Sequence, residues 1–135
     1  MYSIEDIELV ALNLMRRKQK GNNEIFIRRF RARFGVDPTT VLILWGMLET
    51  DGRFDIVETP LNLEHLFWAL DFLKNYSNET VQADKFGVDS KTYRKWFWVY
   101  VKAIASLAPK VVSFNSHINV IILYRSIFYI VSNFK

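Results

Sequence analysis

The stretch TVQADKFGVDSKTYRKWFW, residues 80–98, decides how this sequence is interpreted. A small residue, Ala83, would let a second helix approach closely. Four positions later Gly87 tolerates the positive φ of a tight turn. Asp89 or Ser90 can then cap the helix that follows. Spacing and residue types together predict two helices joined as a helix-turn-helix.

The second helix of this stretch is amphipathic at 100° per residue. The face expected to lie in the core carries Tyr93, Trp96, Phe97, Tyr100, Ile104 and Leu107. The opposite face carries Lys91, Lys95, Trp98 and Lys102, with Arg94 on its flank. The N-terminal half of such a helix meets base edges and phosphates in DNA complexes, so the pattern predicts DNA binding. A basic face that is merely solvated is the alternative, but an indole among lysines favours a partner surface.

The turn motif itself is weak evidence, because FGVD occurs at residues 34–37 and again at residues 86–89. The first copy has Arg31 where the second has Ala83, and it leads into an apolar helix. The cationic face is therefore what distinguishes the second copy. Gln82 departs from the helix-turn-helix pattern, since its position is usually apolar. Val81 is the alternative inward-facing residue.

Apolar periodicity and capping residues predict further helices along the chain. We expect helices over about residues 4–19, 24–34, 38–52, 60–76, 79–86 and 90–107, although the second also alternates like a strand. Ser3 and Asp6 predict a capping box for the first helix. The third is apolar nearly all round, which indicates burial. The fold class is therefore all-α, with five to six helices and a C-terminal helix-turn-helix.

Two smaller features have alternatives that the sequence leaves open. The cations of residues 16–20 suit the negative C-terminal end of the first helix, and a nuclear-localisation or phosphate-binding patch is the second interpretation. His65 is expected to be a partly buried, hydrogen-bonded histidine, because no second histidine or cysteine is near it in sequence.

Composition excludes several classes of function. The chain has no cysteine and two histidines, whereas a structural zinc site needs about four such ligands. It also lacks a P-loop and a G-x-G-x-x-G motif, so we expect no enzyme activity, no metal and no cofactor. The N-terminus does not have the pattern of a signal peptide.

Charge is distributed unevenly along the chain. Residues 1–89 hold 11 basic and 14 acidic residues, a net of −3, whereas residues 90–135 hold 7 basic and no acidic residues. A basic C-terminal third predicts a polyanionic partner.

The last residues differ in character from the rest. Residues 113–135 are apolar, nearly uncharged and rich in residues that favour β structure. We therefore divide the chain into a helical domain, residues 1–112, and an apolar tail of uncertain structure. A membrane span is not expected, because Arg125 interrupts a run shorter than the roughly 20 apolar residues that a span needs. A membrane-associated protein anchored by residues 118–134 remains an alternative.

Two segments carry a resemblance to a known family. Residues 28–48, RRFRARFGVDPTTVLILWGML, and residues 65–107, which begin HLFWALDFLK, resemble the N-terminal region of Harbinger-type (PIF/Harbinger-like) DDE transposases. The resemblance covers about residues 26–112, and its most specific blocks are residues 65–74 and 86–96. It implies a helical region that contacts transposon DNA ahead of a catalytic domain. The residues that it places at the start of the recognition helix are Ser90, Lys91, Thr92, Arg94 and Lys95.

One departure from the family is large. The family's catalytic domain is RNase H-like and uses three acidic residues to bind two metal ions. This sequence has no Asp or Glu after Asp89. We therefore expect a truncated, catalytically inactive fragment or a domesticated DNA-binding remnant, located in the nucleus. A protein–protein interaction module that docks through Trp98 and the basic face is the main alternative.

Overall fold

The computed structural model describes residues 2–54, 61–75 and 79–107, and this part of the chain is helical without any strand. In chain order the helices are α1 (Ile4–Leu14), α2 (Asn23–Phe34), α3 (Pro38–Asp51), α4 (Leu63–Asn75), α5 (Glu79–Phe86) and α6 (Ser90–Ala105). The predicted all-α class with five to six helices is confirmed, and the strand alternative for residues 30–34 is wrong.

The fold is organised around α4. Nearly every residue of α4 from Leu63 to Leu73 is buried. This helix packs against α6 on one side and α2 on another, and it also touches α1. Helix α1 also packs against α3, and α5 packs against α6. This central position explains why α4 is mostly apolar and why even its His65 and Asp71 are buried. The burial predicted for α3 from its apolar sequence is only partial, since α3 buries one side and leaves Leu42, Ile43 and Met47 half-buried.

The first helix begins as predicted and ends earlier than predicted. The Ser3 hydroxyl accepts a hydrogen bond from the Asp6 backbone N–H at 3.3 Å, and the Asp6 carboxylate accepts one from the Ser3 N–H at 2.8 Å. These bonds complete the capping box, and the bond from the Ser3 N–H lowers the pKa of Asp6. The helix stops at Leu14, because Arg16 adopts a left-handed conformation with φ 56°.

The basic residues of positions 16–20 therefore do not interact with the negative C-terminal end of the α1 dipole. No basic residue lies in the last turn of that helix, and residues 16–20 follow it as a connection. Arg16 instead donates from Nη2 to the backbone oxygen of Lys85 at 3.2 Å. Lys20 pairs with Glu8 through a 2.6 Å contact. The expectation of a cationic C-terminal turn is wrong, because the chain leaves the helix before the cations begin.

Helix α4 also begins later than predicted, at Leu63 instead of residue 60. Asn62 marks the start, because its side-chain oxygen accepts a hydrogen bond from the Glu64 backbone N–H at 2.9 Å. Several other expectations lie outside the described residues. They are the cap-and-proline start predicted at residues 59–60, the helix end predicted at residues 108–109, the domain boundary at 112, the apolar tail of residues 113–135 and the anchor of residues 118–134.

Candidate nucleic-acid interface

The turn between α5 and α6 has the geometry that the sequence predicted. Gly87 takes φ 72°, and an added Cβ there would meet nothing within 4 Å, so glycine is required by the backbone conformation alone. The Val88 N–H donates to the Ala83 backbone oxygen at 3.0 Å. Ala83 is 2 % exposed where α5 packs against α6. Phe86 stacks on the ring of Tyr93 with the centroids 5.9 Å apart, which joins the two helices.

Asp89 caps α6. Its carboxylate accepts hydrogen bonds from the Thr92 backbone N–H at 2.7 Å and from the Thr92 hydroxyl at 3.2 Å. The backbone bond is the main reason that the pKa of Asp89 is lowered. Ser90 and Thr92 are half-buried. The cap fixes the first turn of the helix, and it also engages the hydroxyl donor of Thr92.

Three of the expected cations lie on the exposed surface of the first two turns of α6. Lys91, Arg94 and Lys95 are all exposed. The Lys95 ammonium sits 4.7 Å from the ring centroid of Trp96, a cation–π contact that leaves the charge at the surface. We call these three residues the α6 cations. The structure brings together these members of the predicted site.

Arg94 has a partner that sequence analysis missed. Its Nε lies 2.7 Å and its Nη2 2.6 Å from the same oxygen of Glu79, at the start of α5. The Arg94 side chain is 64 % exposed, so the pair lies at the surface and is available for exchange. Fifteen residues separate the two positions, and their proximity depends on how α5 crosses α6. No local pattern in the sequence predicts that crossing.

Trp98 and Lys102 do not continue the exposed face. The Trp98 ring lies against Phe72 of α4, 6.0 Å between centroids, and against Phe97 at 5.3 Å. Both Trp98 and Lys102 are half-buried, and the residues around them from Val99 to Val101 are buried. The expected cationic stripe is therefore fully exposed at Lys91, Arg94 and Lys95 and only partly accessible at Trp98 and Lys102. Beyond Trp96 most residues of α6 are buried, and the fully exposed cations of this helix lie in its N-terminal half.

The burial of Val81 and Gln82 is the reverse of what their polarity favours. Gln82 is fully buried and Val81 is 51 % exposed. Neither the oxygen nor the nitrogen of the Gln82 amide has a hydrogen-bond partner in the described part of the chain. The idea that Val81 turns inward is wrong, because the crossing at Ala83 sets the rotation of α5 and Gln82 adjoins Ala83 on the buried side.

His65 lies inside the core, more deeply than expected. Its ring stacks on Trp96 at 4.7 Å with 12° between the planes, and it also contacts Trp68 at 4.7 Å. Burial lowers the pKa of His65 to about 4. The ring is therefore neutral near pH 7, and its stacking on Trp96 holds α4 against the same turns of α6 that carry the exposed cations.

The first FGVD copy, at residues 34–37, forms a similar turn but uses its aspartate differently. Gly35 is left-handed with φ 83°, as Gly87 is. Asp37, however, makes no capping hydrogen bond to α3. Its carboxylate pairs with Arg31, whose Nη2 lies 2.9 Å from Oδ2, and this hydrogen bonding lowers the pKa of Asp37. Helix α2 packs on α4, and helix α3 packs on α1. The first FGVD copy is therefore not part of the candidate nucleic-acid interface.

Other kinds of site were also considered for the described residues. Within residues 2–54, 61–75 and 79–107, no group of three or more His, Asp or Glu side chains is arranged to hold a metal ion. No helix in these ranges has both the length and the apolar character to cross a membrane. Comparison of the chain with protein-family models, with curated proteins and with solved structures gives no match. The functional interpretation therefore depends on the geometry of α5 and α6.

Proposed function

We propose that this protein binds double-stranded DNA through the first two turns of α6. One observation carries the proposal: a tightly turned, capped helix-turn-helix exposes the α6 cations on the half of its second helix that enters the major groove in DNA-binding proteins of this kind. Most of the other residues of α6 are buried, which fixes the direction in which those cations face.

The three cations differ in what they can contribute. Lys91 and Lys95 are flexible point charges that suit phosphate oxygens and supply affinity without sequence preference. The planar guanidinium of Arg94 suits bidentate recognition of guanine. To make such a contact, Arg94 must exchange Glu79 for the DNA, because Glu79 occupies two of its donors.

The resemblance to Harbinger-type transposases supports the same proposal and names transposon ends as the duplex. It also implies a nuclear location. We propose no catalytic role, since the sequence carries no recognisable catalytic motif. The protein-docking alternative depended on an exposed Trp98. That indole is half-buried against Phe72, which weakens this support.

The proposal is tested by measuring duplex binding across a salt series. We compare the wild type with the triple variant Lys91→Ala, Arg94→Ala and Lys95→Ala. The two phosphate contacts of Lys91 and Lys95 contribute about 0.9 each, so the slope of log K against log salt should become shallower by about 1.8.

A matched triple variant controls for the loss of positive charge. Lys18, Arg28 and Arg53 are exposed and lie outside α6, with the Arg53 backbone meeting Ser106 at its opposite, C-terminal end. Their change to alanine removes the same number of positive charges. This control is expected to retain most of the wild-type slope, and both triple variants to keep the helical CD spectrum. Equal loss of binding in the two variants would show that DNA is attracted by net charge and not by α6.

A further inference from the structure

A second basic site lies on another part of the surface. A cleft of about 380 Å³ opens where the connection after α1 meets α2, α4 and the end of α5. Its lining residues are Met15, Arg17, Arg29, Ala32, Arg33, Asp71, Asn75 and Lys85. Four of these residues are cationic and one is anionic, so the cleft has a net excess of three positive charges. Such an excess in one concave site favours a multiply charged anion.

Arg33 is held rigidly in the wall of this cleft. Its Nε lies 3.4 Å from a carboxylate oxygen of Asp71, which is 1 % exposed. One face of the guanidinium lies over the Phe86 ring, 5.1 Å from the centroid. The Asn75 amide donates to the other oxygen of Asp71 and also, at 3.0 Å, to the backbone oxygen of Arg33. A guanidinium fixed at one edge and one face is preorganised for a ligand.

One donor in this arrangement is unused. The Nη2 of Arg33 is buried and has no hydrogen-bond acceptor within the described ranges. A charged donor that is buried without an acceptor is costly, because its desolvation is not compensated. Arg17 and Arg29 are exposed at the cleft and add further guanidinium donors. The left-handed turn at Arg16, whose side chain bonds to the Lys85 backbone, brings Arg17 to this place.

We propose that this cleft binds a phosphate group. Arginine forks match phosphate oxygens, and a phosphate dianion satisfies several N–H donors at once. The cleft borders the end of α5, so the phosphate has two possible sources: a small phosphorylated molecule or the backbone of a bound nucleic acid. The proposal does not depend on DNA binding by α6, since it uses none of the α6 cations.

The test is an NMR titration of the full chain with inorganic phosphate, with sodium chloride at equal ionic strength as the reference. Amide shifts are expected at Ala32, Asn75 and Lys85. The variant Arg17→Gln with Arg29→Gln leaves Arg33 and Asp71 intact, so the fold is kept. It should weaken phosphate binding by about tenfold or more, because one charge-assisted hydrogen bond is worth at least about a factor of ten.

The matched control changes the neighbours in sequence, Lys18→Gln with Arg28→Gln, which do not line the cleft. It is expected to bind phosphate as the wild type does. The proposal is overturned if phosphate causes no more shift than chloride, or if the two double variants respond equally.

A further titration distinguishes the sources. A short duplex that displaces phosphate from the cleft identifies the nucleic-acid backbone, and failure to displace it identifies a small phosphorylated ligand. The triple α6 variant should keep its phosphate binding, so failure of the DNA proposal is recognised separately.

Discussion

Removing the charge of Glu79 should increase the affinity of this protein for DNA. Glu79 engages two donors of Arg94, the α6 cation best suited to read a base. The variant Glu79→Gln weakens that engagement and removes a negative charge from the proposed interface. Where the released guanidinium also neutralises one phosphate beside the base that it reads, the salt slope steepens by about 0.9. Lowering the salt from 1 M to 0.1 M then tightens binding about eightfold more in the variant than in the wild type.

The fold should tolerate this change. An exposed ion pair contributes about 0–1 kcal/mol to the free energy of unfolding, and the Arg94 side chain is largely exposed. Fluorescence anisotropy with a labelled duplex at several salt concentrations measures the affinity. Glu49→Gln is the matched control, because Glu49 is exposed on α3 and its loss changes the net charge equally.

A double-mutant cycle shows whether Arg94 mediates the gain. In an Arg94→Ala background, Glu79→Gln should tighten binding no more than Glu49→Gln does. If Glu79→Gln and Glu49→Gln have equal effects in the wild-type background, Arg94 does not meet the DNA and the assignment of the interface to the first turns of α6 is wrong.

Three further predictions concern stability. Gln82→Leu should raise the free energy of unfolding by about 1–3 kcal/mol, because an apolar group replaces a buried amide that has no partner among the described residues; a loss measured by urea unfolding would contradict this. Because the pKa of folded His65 is about 4 and that of the unfolded chain is about 6.5, stability should fall as the pH drops through this range, by about 2 kcal/mol more between pH 7 and pH 5 than in His65→Phe. Equal losses of stability in the two proteins would show that the pKa of His65 is not lowered in the folded chain. Arg16→Gly should be more stable than Arg16→Ala by about 1 kcal/mol in thermal unfolding, since only glycine adopts the left-handed conformation without cost; equal stabilities would refute this account of the end of α1.

Most of the helices could be predicted from local patterns, and the errors lie where tertiary contacts decide. The end of α1 is an example. The sequence offers Gly21 as a stop, but the helix ends at Leu14 with Arg16 in the left-handed conformation. Arg16 bonds to the Lys85 backbone, 69 residues away in sequence, and a contact of that separation leaves no local pattern.

Only part of the candidate site could be predicted from the sequence, again because tertiary contacts decide the rest. Helical periodicity places Lys91 and Lys95 correctly, because one side of α6 is buried along its whole length. It misplaces Trp98, because a helical wheel assumes one buried face. Beyond Trp96 the core encloses α6 on more than one side, and the ring of Trp98 reaches Phe72 on α4.

The two FGVD copies show how one residue can redirect a motif. In each copy, the position six residues before the aspartate differs: Arg31 precedes Asp37, and Ala83 precedes Asp89. Arg31 pairs with Asp37 and draws its carboxylate away from the helix that it would cap. Ala83 leaves Asp89 to cap α6 and has no side chain beyond Cβ to separate the helices. An arginine at this position would pair with the aspartate and so remove the N-cap of the second helix, and its side chain would also hold the two helices apart. The alanine is therefore the residue that permits a helix-turn-helix here.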